Sequence, residues 1–161
     1  MTTAWAAAVI TIFLWWSSTG AILWRVRHAD RQGGKAHLLS VLYGLPLLAA
    51  GVAGLALTLN DTSVPGTYAA FLSALALWGW IELAFLSGII TGPNTAPCPP
   101  FARGWDRFWR ASATILWHEA LLIFALALLV WASQNAPNTF GVWTFAVLFF
   151  ARLSAKLNLF F

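Results

Sequence analysis

The sequence has very few charged residues. Only 9% of its 161 residues are Asp, Glu, Lys or Arg, whereas a soluble domain usually has about 25%. Hydrophobic residues make up 60% of the chain, and the mean hydropathy is +0.76. This composition excludes an ordinary soluble domain and predicts a polytopic membrane protein.

Residue types and motifs that carry chemistry are also scarce. The one cysteine, Cys98, allows no internal disulfide and matches no metal-binding spacing by itself. The sequence has no His-Glu-x-x-His, glycine-rich phosphate loop or nucleophile elbow. Its nine Lys and Arg flank or enter apolar segments, so they form no basic face for nucleic acid. We therefore predict no catalytic residue, no metal site and no nucleic-acid partner, and expect a protein that is not an enzyme.

Apolar segments dominate the rest of the chain, and each can cross ~30 Å of hydrocarbon at 1.5 Å per residue. They predict an all-α fold, in which about five membrane helices form one transmembrane bundle. Pro46 should kink the second helix, because proline has no backbone donor. No Gly, Pro or polar tail ends the last helix, so we expect the sequence to be the N-terminal part of a longer protein. The predicted helices span residues 3–24, 38–59, 67–91, 111–131 and 142–161.

Lys and Arg are absent from two of the connections between these segments, the turn 60–66 and the linker 132–141. The connection 25–37 has four of them and the connection 92–110 has three, so the contrast is seven against none. Basic loops stay in the cytoplasm. We therefore expect the N-terminus on the outside, in the periplasm or exterior, and the two basic loops in the cytoplasm.

The second basic connection contains an amphipathic segment, residues 101–110. Its aromatic residues share one helical face and its arginines share another. This pattern predicts a short helix in the plane of the cytoplasmic surface. Anchoring to anionic lipid is the favoured role, and docking to a partner protein is the alternative. The residues concerned are Phe101, Trp105, Phe108, Trp109, Arg103, Arg107 and Arg110.

Five ionisable side chains lie inside predicted helices, at ~8 to ~14 Å from the cytoplasmic ends by helical rise. An isolated charge there is costly, so we expect two acids and two bases to form a neutral structural cluster across the last three helices. Arg152 is the candidate for a bidentate contact to Glu82. Lys156 could instead extend to the interface on its own. The five residues are Glu82, His118, Glu119, Arg152 and Lys156.

Two other roles for this cluster remain open. A neutral His118 could be an axial ligand to a tetrapyrrole such as bacteriochlorophyll, or bind a metal. Acids beside a histidine could also move protons. Di-iron bundles use Glu-x-x-His, whereas His118 and Glu119 are adjacent and diverge by about 100° around the helix.

The order and spacing of several short segments resemble the PuhE family, described as photosynthetic complex assembly proteins of purple phototrophic bacteria. The resemblance covers most of the chain from the third helix onward. It is carried by Trp-Ile-Glu-Leu-Ala-Phe-Leu-Ser-Gly at 80–88, Gly-Pro at 92–93, Arg-Phe-Trp-Arg at 107–110, His-Glu at 118–119, Trp-Thr-Phe at 143–145 and Arg-Leu-Ser-Ala-Lys-Leu-Asn at 152–158.

This resemblance implies an integral protein of the photosynthetic intracytoplasmic membrane that helps to assemble or maintain the reaction centre and its light-harvesting complex. Its partners would be membrane lipids and reaction-centre, light-harvesting or pigment-synthesis proteins. The alternatives are a protein that handles bacteriochlorophyll or another tetrapyrrole, and a proton-linked transporter. PuhE proteins continue past the position that matches Asn158, and the resemblance assigns no catalytic residue.

Overall fold

The fold is a bundle of α-helices. A computed structural model describes residues 4–96, 99, 101 and 104–157, together with the side chains of all of these except 156 and 157. Within those ranges there is no β-strand, and the predicted all-α class is confirmed. The helices are α1 (Ala4–Gln32), α2 (Ala36–Tyr43), α3 (Leu45–Thr58), α4 (Val64–Leu86), α5 (Gly104–Ala132) and α6 (Phe140–Leu157).

Four helical stretches are long and apolar enough to cross a membrane: α1, the continuous run of α2 and α3, α4 and α5. The sixth helix has a shorter apolar stretch, Phe140–Ala155. Most of their large apolar side chains face outward, including Trp5, Trp16 and Trp131. Such outward apolar surface is compatible with surrounding lipid, and the membrane-helical character predicted from the composition is supported.

Helix α4 is the centre of the bundle and contacts every other helix. In the most apolar 18 residues of α4, 61% are buried, against 0% for α1. Ile81 of α4 packs with Leu122 of α5 and Phe145 of α6 in one core. Gly51 lets α3 approach closely, because a Cβ there would lie 2.7 Å from the backbone nitrogen of Leu77. Helix α4, which contains the buried carboxylate Glu82, is therefore also the element on which the other helices pack.

The second predicted span is divided at Gly44, between α2 and α3. Pro46 lies in the first turn of α3 and has no N–H to donate. Trp80 of α4 approaches this break, and its indole Nε1 donates to the carbonyl oxygen of Val41 at 3.1 Å. The helix is therefore interrupted at Gly44, two residues before Pro46, and Trp80 donates a hydrogen bond to the backbone beside this break.

Helix α4 begins and ends earlier than the predicted range of 67–91. Ser63 caps its N-terminus by accepting a hydrogen bond from Gly66 N at 3.1 Å, and a proline occupies the first turn. At the other end Gly88 has φ +72, a left-handed conformation that ends helices. Ile89 N then bonds Ala84 O at 3.0 Å. Local capping residues account for both differences.

Helix α1 continues through most of the first basic connection and ends at Gln32 rather than at residue 24. Gly33 and Gly34, with φ 64 and 56, then reverse the chain. His37 Nε2 lies 3.1 Å from Asp30 Oδ1 across this turn. The polar residues that follow position 24 are therefore helical, and the helix ends where the two glycines begin.

The amphipathic segment is not a separate in-plane helix, which corrects that prediction. Residues 104–110 form the first two turns of α5, which continues to Ala132. No proline or glycine follows Gly104 before residue 132, so nothing in the sequence breaks the helix there. Trp105 and Trp109 are exposed, and Arg110 Nε lies 2.9 Å from Asp106 Oδ1. Arg103 lies outside the described residues.

Candidate functional site

Three ionisable side chains from three different helices meet at one end of the bundle. Glu82 lies in the last turn of α4, His118 lies on α5 and Arg152 lies on α6. Arg152 Nη1 donates a hydrogen bond to Glu82 Oε2, and His118 Nε2 lies 3.6 Å from Glu82 Oε1. We call these three residues the buried charge cluster. The acid and the guanidinium neutralise each other, which lowers the cost of burying either charge.

The aromatic ring of Phe85 joins the members of this cluster. It lies three residues after Glu82 on α4, and therefore on the same helical face. The ring centroids of Phe85 and His118 are 4.2 Å apart. Arg152 Cζ lies 4.8 Å from the Phe85 centroid, within the range of a cation–π contact. Phe85 was not among the site residues predicted from the sequence, although its spacing of three residues from Glu82 is the signal that could have revealed it.

Backbone hydrogen bonds from the segment after α4 fix the position of His118. We call residues 87–94 the strap. His118 N donates to Thr91 O at 3.1 Å, and Asn94 Nδ2 donates to Arg110 O at 3.2 Å. The strap lies directly against α5, since a Cβ on Gly92 would be 2.1 Å from Ala113 O. The strap thereby holds α5 beside the end of α4.

Glu82 is buried although it lies near the end of its helix. Glu82 is four residues before Leu86, the last residue of α4, and therefore ~6 Å from the helix end rather than the expected ~14 Å. Its side chain is nevertheless only 9% exposed, and that of His118 is 0% exposed. Burial here comes from side chains of the neighbouring helices, His118 of α5 and Arg152 of α6, rather than from depth along α4.

The other two members of the predicted five-residue cluster are Glu119 and Lys156. Glu119 is half-buried on α5, about 100° around the helix from His118. The side chain of Lys156 lies outside the described part of the chain. Their participation in a neutral four-charge cluster stays a prediction, whereas the contacts of Glu82, His118 and Arg152 are observed.

The position of His118 argues against axial ligation of a tetrapyrrole. An axial ligand must present a ring nitrogen to an open face large enough for a macrocycle. The imidazole is instead fully buried between Phe85 and Glu82. Among the residues that the structure describes, no group of three or more His, Cys, Asp or Glu is placed to hold a metal ion.

Two cavities lie on opposite sides of α4. One, with a volume of about 360 Å³, is bounded by α3, α4 and α5 and is lined mainly by apolar residues such as Leu55, Leu77 and Leu128. The other, of about 390 Å³, lies between α1 and α6 with α4 as its floor. We call the second cavity the α1–α6 groove. Glu82 and Arg152 both line it, so the charge cluster forms part of a cavity wall.

Asn138 joins the polar turns at the opposite end of the bundle. Its Nδ2 donates to Thr58 O at 3.0 Å and to Asp61 O at 2.7 Å, while its Oδ1 accepts from Phe140 N at 3.1 Å. The side chain thereby bonds the last turn of α3 and the first residue of α6. In the sequence this linker was noted only for its lack of Lys and Arg. An Asn two residues before a helix is the signal for this role.

The neighbouring turn contains an ordered carboxylate. A side-chain hydrogen bond to Ser63 and the backbone N–H of the same residue, 2.9 Å from Asp61 Oδ1, lower the pKa of Asp61. Asp61 is fully solvated, so this bond shapes the turn rather than a buried site. Ser63, which bonds Asp61, is also the N-cap residue of α4.

Comparison with known proteins gives one family and one close relative. The family whose profile matches, over residues 1–161, is described as "Protein of unknown function (DUF3623)". The chain is 57% identical over 163 aligned positions to an "Uncharacterized 30.4 kDa protein in puhA 5'region" of Rhodobacter capsulatus. The match covers 99% of this chain and 58% of that relative's length. No solved structure matches the chain.

Proposed function

Because the chain belongs to the DUF3623 family over residues 1–161, we propose that it is an integral membrane assembly factor or accessory subunit of the bacterial photosynthetic reaction centre and light-harvesting complex. The observation that carries this proposal is the 57% identical relative named for the region 5′ of puhA. That region belongs to a photosynthesis gene cluster. Neighbouring bacterial genes often serve one process, and the resemblance to PuhE proteins favours the same process.

The distribution of exposed aromatic residues supports a role in binding other membrane proteins. Helix α1 exposes Trp5, Trp16 and Trp24, and α5 exposes Trp117 and Trp131. Tryptophan contributes strongly to protein interfaces because it buries a large area with few rotatable bonds. Helices α1 and α5 would therefore contact lipid and partner proteins, while α4 and the buried charge cluster hold the bundle together.

The proposed location is the photosynthetic intracytoplasmic membrane. In this arrangement the α1–α2 turn and the start of α5 are cytoplasmic, and the α3–α4 turn is periplasmic. The distribution of Lys and Arg between the connections supports this orientation. Arg107 and Arg110, with exposed Trp105 and Trp109 nearby, would then lie at the cytoplasmic interface and contact anionic lipid.

Co-purification from a phototrophic host tests the function. The full-length protein is tagged, solubilised in mild detergent and analysed by quantitative mass spectrometry. We expect enrichment of reaction-centre, light-harvesting or pigment-synthesis proteins over an equally expressed, tagged transporter from the same membrane. Enrichment equal to that of the control transporter would contradict the proposal.

Partner contact through the aromatic faces can be separated from folding. Replacing Trp16 and Trp24 with leucine keeps α1 apolar and helical but removes two exposed rings. We expect the captured partners to fall severalfold while the yield of folded protein is unchanged. Replacement of Trp131 on α5 is the matched comparison, because it shows whether one face or both carry the contact.

A further inference from the structure

The α1–α6 groove has features of a ligand site that the assembly role does not require. Its volume of about 390 Å³ lies in the range of small-molecule sites, about 300 to 1,000 Å³. A partner helix, about 10 Å across and 1.5 Å long per residue, would occupy a much larger volume than this. A small membrane-soluble molecule is therefore a better fit than a protein segment.

The walls of the groove are apolar over most of their length, and the hydroxyls of Ser18 and Thr19, which also line it, are bonded to the Trp15 carbonyl oxygen of their own helix. Leu75, Trp78 and Leu148 contribute apolar surface, and Trp15 of α1 lies on the facing wall. The ion pair of the buried charge cluster contributes the polar part. A molecule that fits has a long apolar body and a single polar group.

The chemistry of Arg152 specifies the kind of polar group. A guanidinium has five N–H donors and no acceptor. Nη1 donates to Glu82 Oε2 and Nε is fully buried, so a molecule in the groove would meet the outer N–H groups of the guanidinium. The side chain is 20% exposed and lines the groove. The ligand atom at this position is thus an acceptor oxygen.

The net charge of the site indicates whether the polar group of the ligand is charged or neutral. The Glu82–Arg152 pair is formally neutral, so a charged headgroup would bring an uncompensated charge into a low-dielectric site. A carbonyl oxygen is a neutral acceptor. We propose that the α1–α6 groove binds a neutral, membrane-soluble molecule with an apolar body and a keto or ester carbonyl, which accepts a hydrogen bond from Arg152.

Such a carbonyl could belong to a quinone ring or to a glyceride ester, and two probes distinguish these sources. The full chain in lipid nanodiscs is titrated with decyl-1,4-benzoquinone, and the part of the tryptophan quenching that is lost when Trp15 and Trp78 are replaced by Phe reports occupancy of the groove. Dioctanoylglycerol is then added as a competitor. We expect a saturable component of the quenching. Displacement of the quinone indicates the ester class, and retention indicates the quinone class; either supports a carbonyl site.

Two variants test the groove itself. Gly79 lines the groove, and a Cβ there meets only Ile22 Cδ1, at 3.5 Å, so a side chain can start from this position, and Gly79→Leu should fill the floor of the groove. Its control is Gly20→Leu, where nothing lies within 4 Å of the new Cβ. We expect Gly79→Leu to weaken the saturable component at least tenfold and the control to leave it unchanged.

The polar contact has its own variant. Glu82→Leu combined with Arg152→Leu removes the guanidinium donors without leaving a lone charge or adding an amide donor, and we expect it to weaken binding at least tenfold. Circular dichroism and size-exclusion chromatography establish that each variant is folded; if the double variant is not, Gly79→Leu decides. Absence of saturable quenching in the unmodified protein, or equal affinity in Gly79→Leu, would overturn the proposal.

Discussion

At the scale of single residues, Glu82 connects three helices. It contacts an arginine from α6 and a histidine from α5, and both contacts cross between elements far apart in sequence. A buried pair of this kind adds little net stability, because desolvation offsets the attraction. Loss of one partner is costly, because it strands the other charge.

The ion pair therefore predicts a non-additive pattern of stability. We expect Glu82→Gln to lower the free energy of unfolding by about 3 kcal/mol, and Arg152→Leu to do likewise, since each leaves a buried charge. The double variant should lie within about 1 kcal/mol of the unmodified protein. Unfolding by denaturant titration in mixed micelles measures all four proteins. A double-variant cost equal to the sum of the single costs would show that the residues act independently.

At the opposite end of the bundle from Glu82, the residue that joins several elements is Asn138. Asn138→Ala leaves the carbonyl of Thr58 without its side-chain donor, and we expect a loss of about 1 to 3 kcal/mol in unfolding free energy. Asn135→Ala is the control, because Asn135 is exposed in the same linker. Equal melting temperatures for the two variants would show that the buried hydrogen bonds do not contribute.

At the scale of secondary-structure elements, α4 determines how the helices pack, and small residues set the distances. Gly51 brings α3 against the backbone of α4 at Leu77 and Ser73. Close approach at a glycine strengthens packing between apolar helices, because the hydrophobic effect contributes little between them in lipid. The strap has an equivalent role between α4 and α5, with Gly92 at the contact.

A methyl group at position 51 should therefore separate α3 from α4. We expect Gly51→Ala to destabilise the bundle by about 1 to 3 kcal/mol, because the new Cβ would lie 2.7 Å from Leu77 N and 2.9 Å from Ser73 O. Gly20→Ala is the matched helical control. Its Cβ meets nothing within 4 Å, so the better helix propensity of alanine should leave stability unchanged or up to about 1 kcal/mol higher. Thermal unfolding in detergent compares the two, and a smaller loss for Gly51→Ala than for Gly20→Ala would contradict this packing.

At the scale of the whole molecule, the two ends of the bundle differ in charge. The α3–α4 turn and the α5–α6 linker have no Lys or Arg, whereas the α1–α2 turn and the start of α5 do. The first pair of connections is joined by Asn138. The charged end contains the buried charge cluster and the strap. The proposed orientation places the end with the α3–α4 turn and the α5–α6 linker in the periplasm.

Labelling of single cysteines tests this orientation. In a Cys98→Ser background, Thr62→Cys should react with a membrane-impermeant maleimide added outside intact spheroplasts. Gln32→Cys should react only after the membrane is permeabilised. Both positions are exposed polar residues next to turns, so the pair is matched in local environment. The reverse labelling pattern would invert the proposed topology.

The sequence by itself determined the fold class and the identity of the paired charges. A charge fraction of 9% and long apolar segments leave few alternatives to membrane helices. The cost of a lone intramembrane charge already favoured Glu82 with Arg152. These inferences succeed because they depend on composition and on the properties of single side chains.

Only the tertiary structure decided how that pair is enclosed. Phe85, the strap, the Asn138 hydrogen bonds and the α1–α6 groove depend on contacts between residues distant in sequence. The continuation of α5 back to Gly104 likewise replaced a separate surface helix. Hydrophobic periodicity specifies which face of a helix is apolar, but the neighbour that covers it depends on close packing of the whole bundle.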